Sequence, residues 1–219
     1  MEVSEFFPVW NKLTENQRAT IAGAAFERDF PKGGILHKGG TECTGLILVQ
    51  SGQLRAYTTS PDGKEITLYR LFERDMCLLS ASCMMNGIQF SVWLTAEKDS
   101  KVTVIPADVY KAVMKESAPL ANFTNEVIAE RFTDTMWLIE QIMWKSFDRR
   151  LAAFLVEEAD IEGSNTLKTT HEAIGNHLGS PREVVSRMLG YFASEGLVKL
   201  SRGTVEIVDE KRLRELADE

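Results

Sequence analysis

The sequence predicts an α+β fold in which an N-terminal antiparallel β-roll or jelly roll, one long helix and a C-terminal helical unit closed by a β-hairpin follow one another. Three observations predict it. From Phe30 to about Ile105, short aliphatic and β-branched runs alternate with glycine turns, the pattern of closely spaced antiparallel strands. From Pro119 to about Lys145, apolar residues recur at helical spacing over about seven turns. Beyond them, two short helices with start and stop signals stand a tight turn apart, ahead of two alternating runs around Arg202-Gly203.

Within the strand region, Pro61-Asp62-Gly63 marks a hairpin turn, because proline presets φ and glycine supplies a positive φ. Pro106 to Lys115 reads as a short helix. The long helix that follows carries Leu120, Phe123, Val127, Ile128, Phe132, Met136, Ile139, Ile142 and Met143, with Trp137 and Trp144 on its flank. So broad a stripe has more to cover than one barrel edge, and a partner helix covers it most economically. Phe123, Val127, Phe132, Met136, Ile139 and Met143 are therefore the expected dimer seam; packing on the same chain's barrel is the alternative. Ser146 or Asp148 can cap the next helix, which begins with Leu151, Phe154 and Leu155. The expected divisions are 1–118 for the β-roll, 119–145 for the long helix and hinge, and 146–219 for the C-terminal unit.

The C-terminal unit is the most specific part. Thr169 with Glu172 reads as a capping box for one helix, ended by Gly179 in a left-handed conformation. Ser180, Pro181 and Glu183 read as the capped start of a second, whose Val185, Met188, Leu189 and Phe192 form one buried face. Arg182, Glu183, Ser186 and Arg187 project together from the other side. This is a helix-turn-helix, a motif whose second helix enters the DNA major groove, and the hairpin after it makes the unit winged. Arginine can fork onto guanine O6 and N7, and glutamate can accept from the cytosine amino group, so these four residues are the candidate base readers. Glu183 has an alternative employment in the capping box. Lys168, Thr170, Lys199 and Arg202 are the candidate backbone contacts, which set register without reading sequence. The chain carries a net charge of −7. Between Lys168 and Gly203, however, five basic residues face three acidic ones, so positive charge sits where the groove would be.

Together the glycine-punctuated β-roll, the long helix, "RRLAAFL" and "IGNHLGSPREVVSRML" with its wing resemble the Crp/Fnr family of bacterial transcription regulators over nearly the full chain. The resemblance implies a homodimer that reads a palindromic operator in double-stranded DNA, with half-sites containing a G-A core. It also implies a small-molecule effector in the β-roll that changes how the two reading helices are placed, and RNA polymerase as a further partner. Residues aligned with Arg182, Glu183 and Arg187 touch bases in that family, and Ser186 matches a readout position of the Fnr branch.

The sensor departs from the family pattern. Cyclic-nucleotide-binding members use a glutamate and an Arg-Ser pair to hold the phosphate, whereas Leu79 stands near the glutamate position and Gln89-Phe90 precede Ser91. Cyclic AMP is thus not the expected effector. An iron–sulfur centre needs four cysteine ligands, and this chain has three: Cys43, Cys77 and Cys83. The sequence leaves the cofactor unknown. What remains is a soft apolar wall, Cys77, Leu79, Cys83, Met84, Phe90 and Trp93, which suits an apolar or flat ligand or haem. Two other readings stay open: ordinary core packing, and a thiol switch between Cys77 and Cys83.

Catalysis is not expected. A metal-dependent barrel enzyme needs converging histidines, and only His37 lies in the β-roll; His171 and His177 are six apart, off the zinc-protease spacing. No phosphate-binding loop or nucleophile elbow occurs, and no metal site is expected. A first segment without a basic stretch and apolar run, together with no long apolar segment, leads to the expectation of a cytoplasmic protein without membrane attachment.

Overall fold

The computed structural model describes residues 2–39, 44–80 and 91–218. Cys43, Cys83, Met84 and Phe90 lie outside the described residues. The chain divides into two compact units, one of residues 1–59 and 68–135, the other of residues 60–67 and 136–219.

The first unit is built on two four-stranded antiparallel sheets. One runs in the order β1 (Phe26–Phe30), β8 (Ser100–Ile105), β3 (Leu46–Ser51), β6 (Met76–Cys77). The other runs β2 (Ile35–His37), β7 (Trp93–Ala96), β4 (Leu54–Thr59), β5 (Glu65–Leu71). The period-two geometry of a strand explains why "LILV" at the start of β3 is apolar throughout, since both of its faces are covered. Ile47 and Val49, with Val102 of the same sheet, pack against Leu54, Ala56 and Leu94 of the opposite sheet. Leu46 and Leu48 face the other way, onto helices. These helices are α1 (Glu15–Ala24), α2 (Ala107–Glu116) and the start of α3 (Ala118–Trp144), which bury Ile21, Tyr110, Leu120 and Val127 against them. Tyr110 Oη and Thr124 Oγ1 lie 2.8 Å apart, and the threonine hydroxyl also donates to Leu120 O. The polar ends of two core side chains are thereby satisfied.

Sequence reading omitted α1. Its signal is nonetheless in the chain, since Thr14 and Gln17 form a capping box with both bonds present. The Pro61–Gly63 turn is found where expected, Gly63 having φ +81° and Ser60 N–H donating to Lys64 O.

The C-terminal unit has its own core. Helix α4 (Phe147–Glu162) contributes Leu151, Ala152 and Leu155, α5 (His171–Leu178) contributes Ile174, and α6 (Arg182–Ser194) contributes Val185, Leu189 and Phe192. A three-stranded sheet in the order β10 (Val198–Ser201), β11 (Thr204–Ile207), β9 (Thr166–Leu167) closes it. Helix α7 (Glu210–Asp218), also unread from sequence, adds Leu213 and Ala217. No helix among the described residues is long and apolar enough to cross a membrane.

Leu189 is fully buried where α6 meets this core. Leu189→Ala is expected to destabilise the C-terminal unit by about 2–5 kcal/mol, the usual cost of a leucine-sized core deletion. Calorimetry checks this through a lowered transition for that unit, with the β-roll transition unmoved.

Candidate nucleic-acid interface

Two helices and a wing position the candidate residues, and the local chemistry differs in two places from the sequence reading. Helix α5 is capped by Thr170, not Thr169: Thr170 Oγ1 accepts from the Ala173 N–H at 3.1 Å. Helix α6 starts at Arg182 with Pro181 at its N-cap, and no side-chain capping bond forms. The capping box of Ser180 and Glu183 is thus overturned, because the Ser180 N–H donates to Gly175 O at 2.9 Å and closes the turn instead. This removes the competing employment of Glu183. The turn itself depends on two glycines. Gly179 ends α5 at φ +65°, as expected. Gly175 sits where any Cβ would stand 2.5 Å from Ser180 O, so only a residue without a side chain lets the two backbones approach.

Side chains lock the pair in place. Arg150 of α4 donates through Nη1 to the Leu178 carbonyl at 3.2 Å, satisfying a free group at the end of α5. The His177 ring lies 5.2 Å from that of Phe154. His171 Nδ1 and Ser186 Oγ are 2.7 Å apart, linking the first residue of α5 to the middle of α6. Sequence reading weighed His171 as a metal ligand, and excluded it on spacing. Its role depends on a neighbour 15 positions away, which no local pattern signals.

Arg182, Glu183 and Arg187 are exposed on one side of α6, opposite buried Val185, Leu189 and Phe192, and Ser186 is half-buried by its bond to His171. The wing strands pair from Val198–Ile207 to Ser201–Thr204, and Gly203 at φ +72° turns the two-residue loop. Arg202 at its tip is exposed, and a groove between wing and helices is lined by Thr170, His171, Arg182, Ser201, Arg202 and Thr204. Lys168 is exposed at the edge of β9. Lys199 is 3.9 Å from the Glu206 carboxylate, a long and exposed ion pair that constrains it little. Hydroxyls, guanidinium groups and the α5 N-terminus so gathered form a surface suited to phosphate oxygens, beside a helix face suited to base edges.

In the first unit, Cys77 is 1% exposed, with its Sγ 3.8 Å from Tyr69 Oη. Burial above all, and then the neighbouring Cys77, pushes the Tyr69 hydroxyl pKa well above its ordinary value. Leu79 packs on the inter-sheet core, and Trp93 stacks on Tyr57 at 6.3 Å. The Arg131 guanidinium lies 4.8 Å above the Tyr69 ring. On α3, Phe123 and Val127 are packed in their own chain's core, Phe123 against Phe7 at 5.9 Å. Phe132, Met136, Ile139 and Met143 are 66, 41, 40 and 63% exposed.

Such a unit, with a glycine-tight turn, a reading helix and a wing, defines a winged helix-turn-helix DNA-binding protein carrying a β-roll. Comparison narrows the class. Residues 149–216 match the Crp-like helix-turn-helix domain and residues 27–117 the cyclic nucleotide-binding domain. A crystal structure described as a Crp/Fnr-family transcriptional regulator of Eubacterium rectale is 59% identical, covers 98% of this chain and 99% of its own, and superposes with a TM-score of 0.96. The cyclic AMP receptor protein of Thermus thermophilus is 25% identical, with 96% of each chain covered. The fumarate and nitrate reduction regulatory protein of Vibrio cholerae is 26% identical over 87% of this chain and 78% of its own. The chain belongs to the Crp/Fnr family: it is a DNA-binding transcription regulator with a cyclic-nucleotide-binding-type domain.

Gly175→Ala is expected to force the turn open. Melting should report a loss of about 1–3 kcal/mol in the C-terminal unit, the cost of overpacking a tight site. Operator binding should fall with it.

Proposed function

We propose that the chain is a cytoplasmic homodimeric regulator that reads a palindromic operator, with DNA affinity set by a small-molecule effector at the β-roll, and with no catalytic activity. The observation that carries this reading is the placement of Arg182, Glu183 and Arg187 on the exposed side of α6, with Glu183 freed from the capping box. A glutamate on a surface that meets phosphate is repelled by it, so it belongs there only as a base reader or as a brace for an arginine. Arg182 and Arg187 fork onto guanine edges. Ser186, with its Oγ 2.7 Å from His171 Nδ1, supports the same face. Lys168, Thr170, Lys199 and Arg202 fix register on the backbone, Thr170 doing so as part of a capped N-terminus.

The seam is read as the exposed part of the α3 stripe. Phe132, Met136, Ile139 and Met143 are spaced four, three and four apart, the repeat that places knobs of one helix into holes of another. Burying such a side chain contributes about 1.5–3 kcal/mol, so leaving four in water is costly. Phe123 and Val127 support the seam from within their own core. In this reading the functional division is 1–118, 119–145 and 146–219, with the middle segment pairing two copies, whereas the compact units divide between 135 and 136.

Cys77, Leu79 and Trp93 belong to the effector wall in this reading, along with Cys83, Met84 and Phe90 outside the described residues. Burial of the Cys77 thiol under Tyr69 favours a packed apolar wall over the thiol or haem alternative. RNA polymerase is the partner that a promoter-bound regulator would engage.

Selection of bound sequences from a random duplex pool tests the reading directly. The expected product is an inverted repeat, and a pool without sequence preference overturns it. On the selected operator, Arg187→Ala is expected to cost about 1–3 kcal/mol and to relax preference at one base pair, while Arg202→Ala weakens all duplexes alike. Anisotropy titrations on operator and random DNA separate the two. Phe132→Asp with Ile139→Asp is expected to give monomers in sedimentation at micromolar concentration and to abolish operator binding with the C-terminal fold intact.

A further inference from the structure

The tip of the β4–β5 hairpin, Ser60–Thr67, groups with the C-terminal unit. Two contacts seat it. Ile66 covers the end of α5, so closely that a Cβ on Gly179 would stand 3.0 Å from Ile66 Cδ1. Thr67 Oγ1 and His177 Nδ1 are 2.9 Å apart, within hydrogen-bond distance. The rest of the tip then falls beside the reading helix: Asp62, Lys64 and Glu65 line one cleft with Ser180, Arg182 and Glu183.

That position puts the tip beside the surface that the DNA-binding reading assigns to the operator. The first turn of α6 holds free backbone N–H groups and the positive end of a helix dipole, which attract phosphate oxygens. Four carboxylates, Asp62, Glu65, Glu172 and Glu183, line the cleft against the two cations Lys64 and Arg182, and Lys64 pairs with Asp62 at 2.9 Å. The Asp62 carboxyl pKa is held down at about 2, first by the Ser60 hydroxyl and then by Lys64, so it stays ionised at any physiological pH. A polyanion approaching Arg182 meets these charges at short range, and like charges repel most where water is thin. The tip is also placed to respond to the β-roll. Strand β5 carries Thr67, which touches His177, and two residues on carries Tyr69, which touches Cys77.

We propose that Ser60–Thr67 is an autoinhibitory strap: seated on Gly179 and His177, it holds Asp62 and Glu65 against the start of α6, and operator DNA binds only after it leaves. The inference rests on the DNA-binding reading above. It assigns the hairpin a competing role at the same surface, with the apolar wall behind β5 as the place from which it is released.

The full-length protein is titrated with the selected operator, with no effector added, as wild type and as two variants. Ile66→Ala with Thr67→Ala removes the seat and is expected to bind about five- to tenfold more tightly, since apparent affinity rises by the reciprocal of the strap-free fraction. Asp62→Asn with Glu65→Gln keeps the seat and removes the charge, and is expected to gain about two- to fivefold. Asp108→Asn with Glu116→Gln removes the same charge from α2 and sets the baseline for long-range electrostatics. Hydrogen exchange of wild type should show residues 60–67 losing protection when operator binds. Gains above the baseline support the strap. Unchanged or weaker binding by variants that melt like wild type, while wild type prefers its operator, overturns the strap alone. If the first variant fails to fold, the charge variant decides. If wild type and variants alike show no preference among duplexes, the DNA-binding reading falls and the strap with it.

Discussion

The aim of the reading helix rests on the close approach of two backbones. Gly175 comes near enough to Ser180 O to leave no room for a Cβ, and the Ser180 N–H returns a hydrogen bond to Gly175 O. One residue type thus fixes the angle at which α6 leaves α5. Everything chemical about the site is downstream of that angle. Arg182 and Glu183 occupy the first turn of α6, and Arg187 the second; a rotation of the helix would trade them for Val185 or Leu189, which the core requires. The burial of one face and the exposure of the other are the same constraint seen twice.

Helix α3 shows a second division of labour. Its first turns lock into the core with Leu120 and Val127, while later ones present Phe132, Met136, Ile139 and Met143 to solvent. A helix this long would be marginal if half its apolar side chains found no partner, because packing rather than propensity carries most helical stability. The heptad-like spacing begins where the packing within the chain ends. That change from buried core to exposed face is what a continuous apolar stripe conceals in the sequence.

How much was legible follows from how local each signal is. The strand region was readable from its glycine turns, Gly63 and Pro61 most directly, and the helix-turn-helix from the α6 face and Gly179. Caps were misassigned by one residue: Thr169 and Thr170 are chemically equivalent in sequence, and only the backbone decides which hydroxyl meets the Ala173 N–H. Ser180-Pro181 carries a strong start signal, yet tertiary demand from Gly175 claims the Ser180 N–H first. Helix α1 was missed although its Thr14–Gln17 box stands in the chain, because the apolar face behind it is thin, Ile21 being its buried residue. The His171–Ser186 and Thr67–His177 contacts were beyond reach, since each joins residues that no period or motif connects.

Those long-range contacts also bear on what kind of switch such a chain can be. The packed interior of the β-roll, with Cys77 and Tyr69 in van der Waals reach and Arg131 over the tyrosine ring, resists continuous deformation, so a ligand entering it moves strands as units. Because β5 is extended, displacement of Tyr69 along it reaches Thr67 nearly undiminished over two residues, about 7 Å of chain. A single hydroxyl–imidazole contact and one isoleucine contact are weak enough to yield to that displacement, yet directional enough to re-form. The balance suits a regulator whose two states must differ by only a few kcal/mol, so that an effector's differential affinity can reverse their populations.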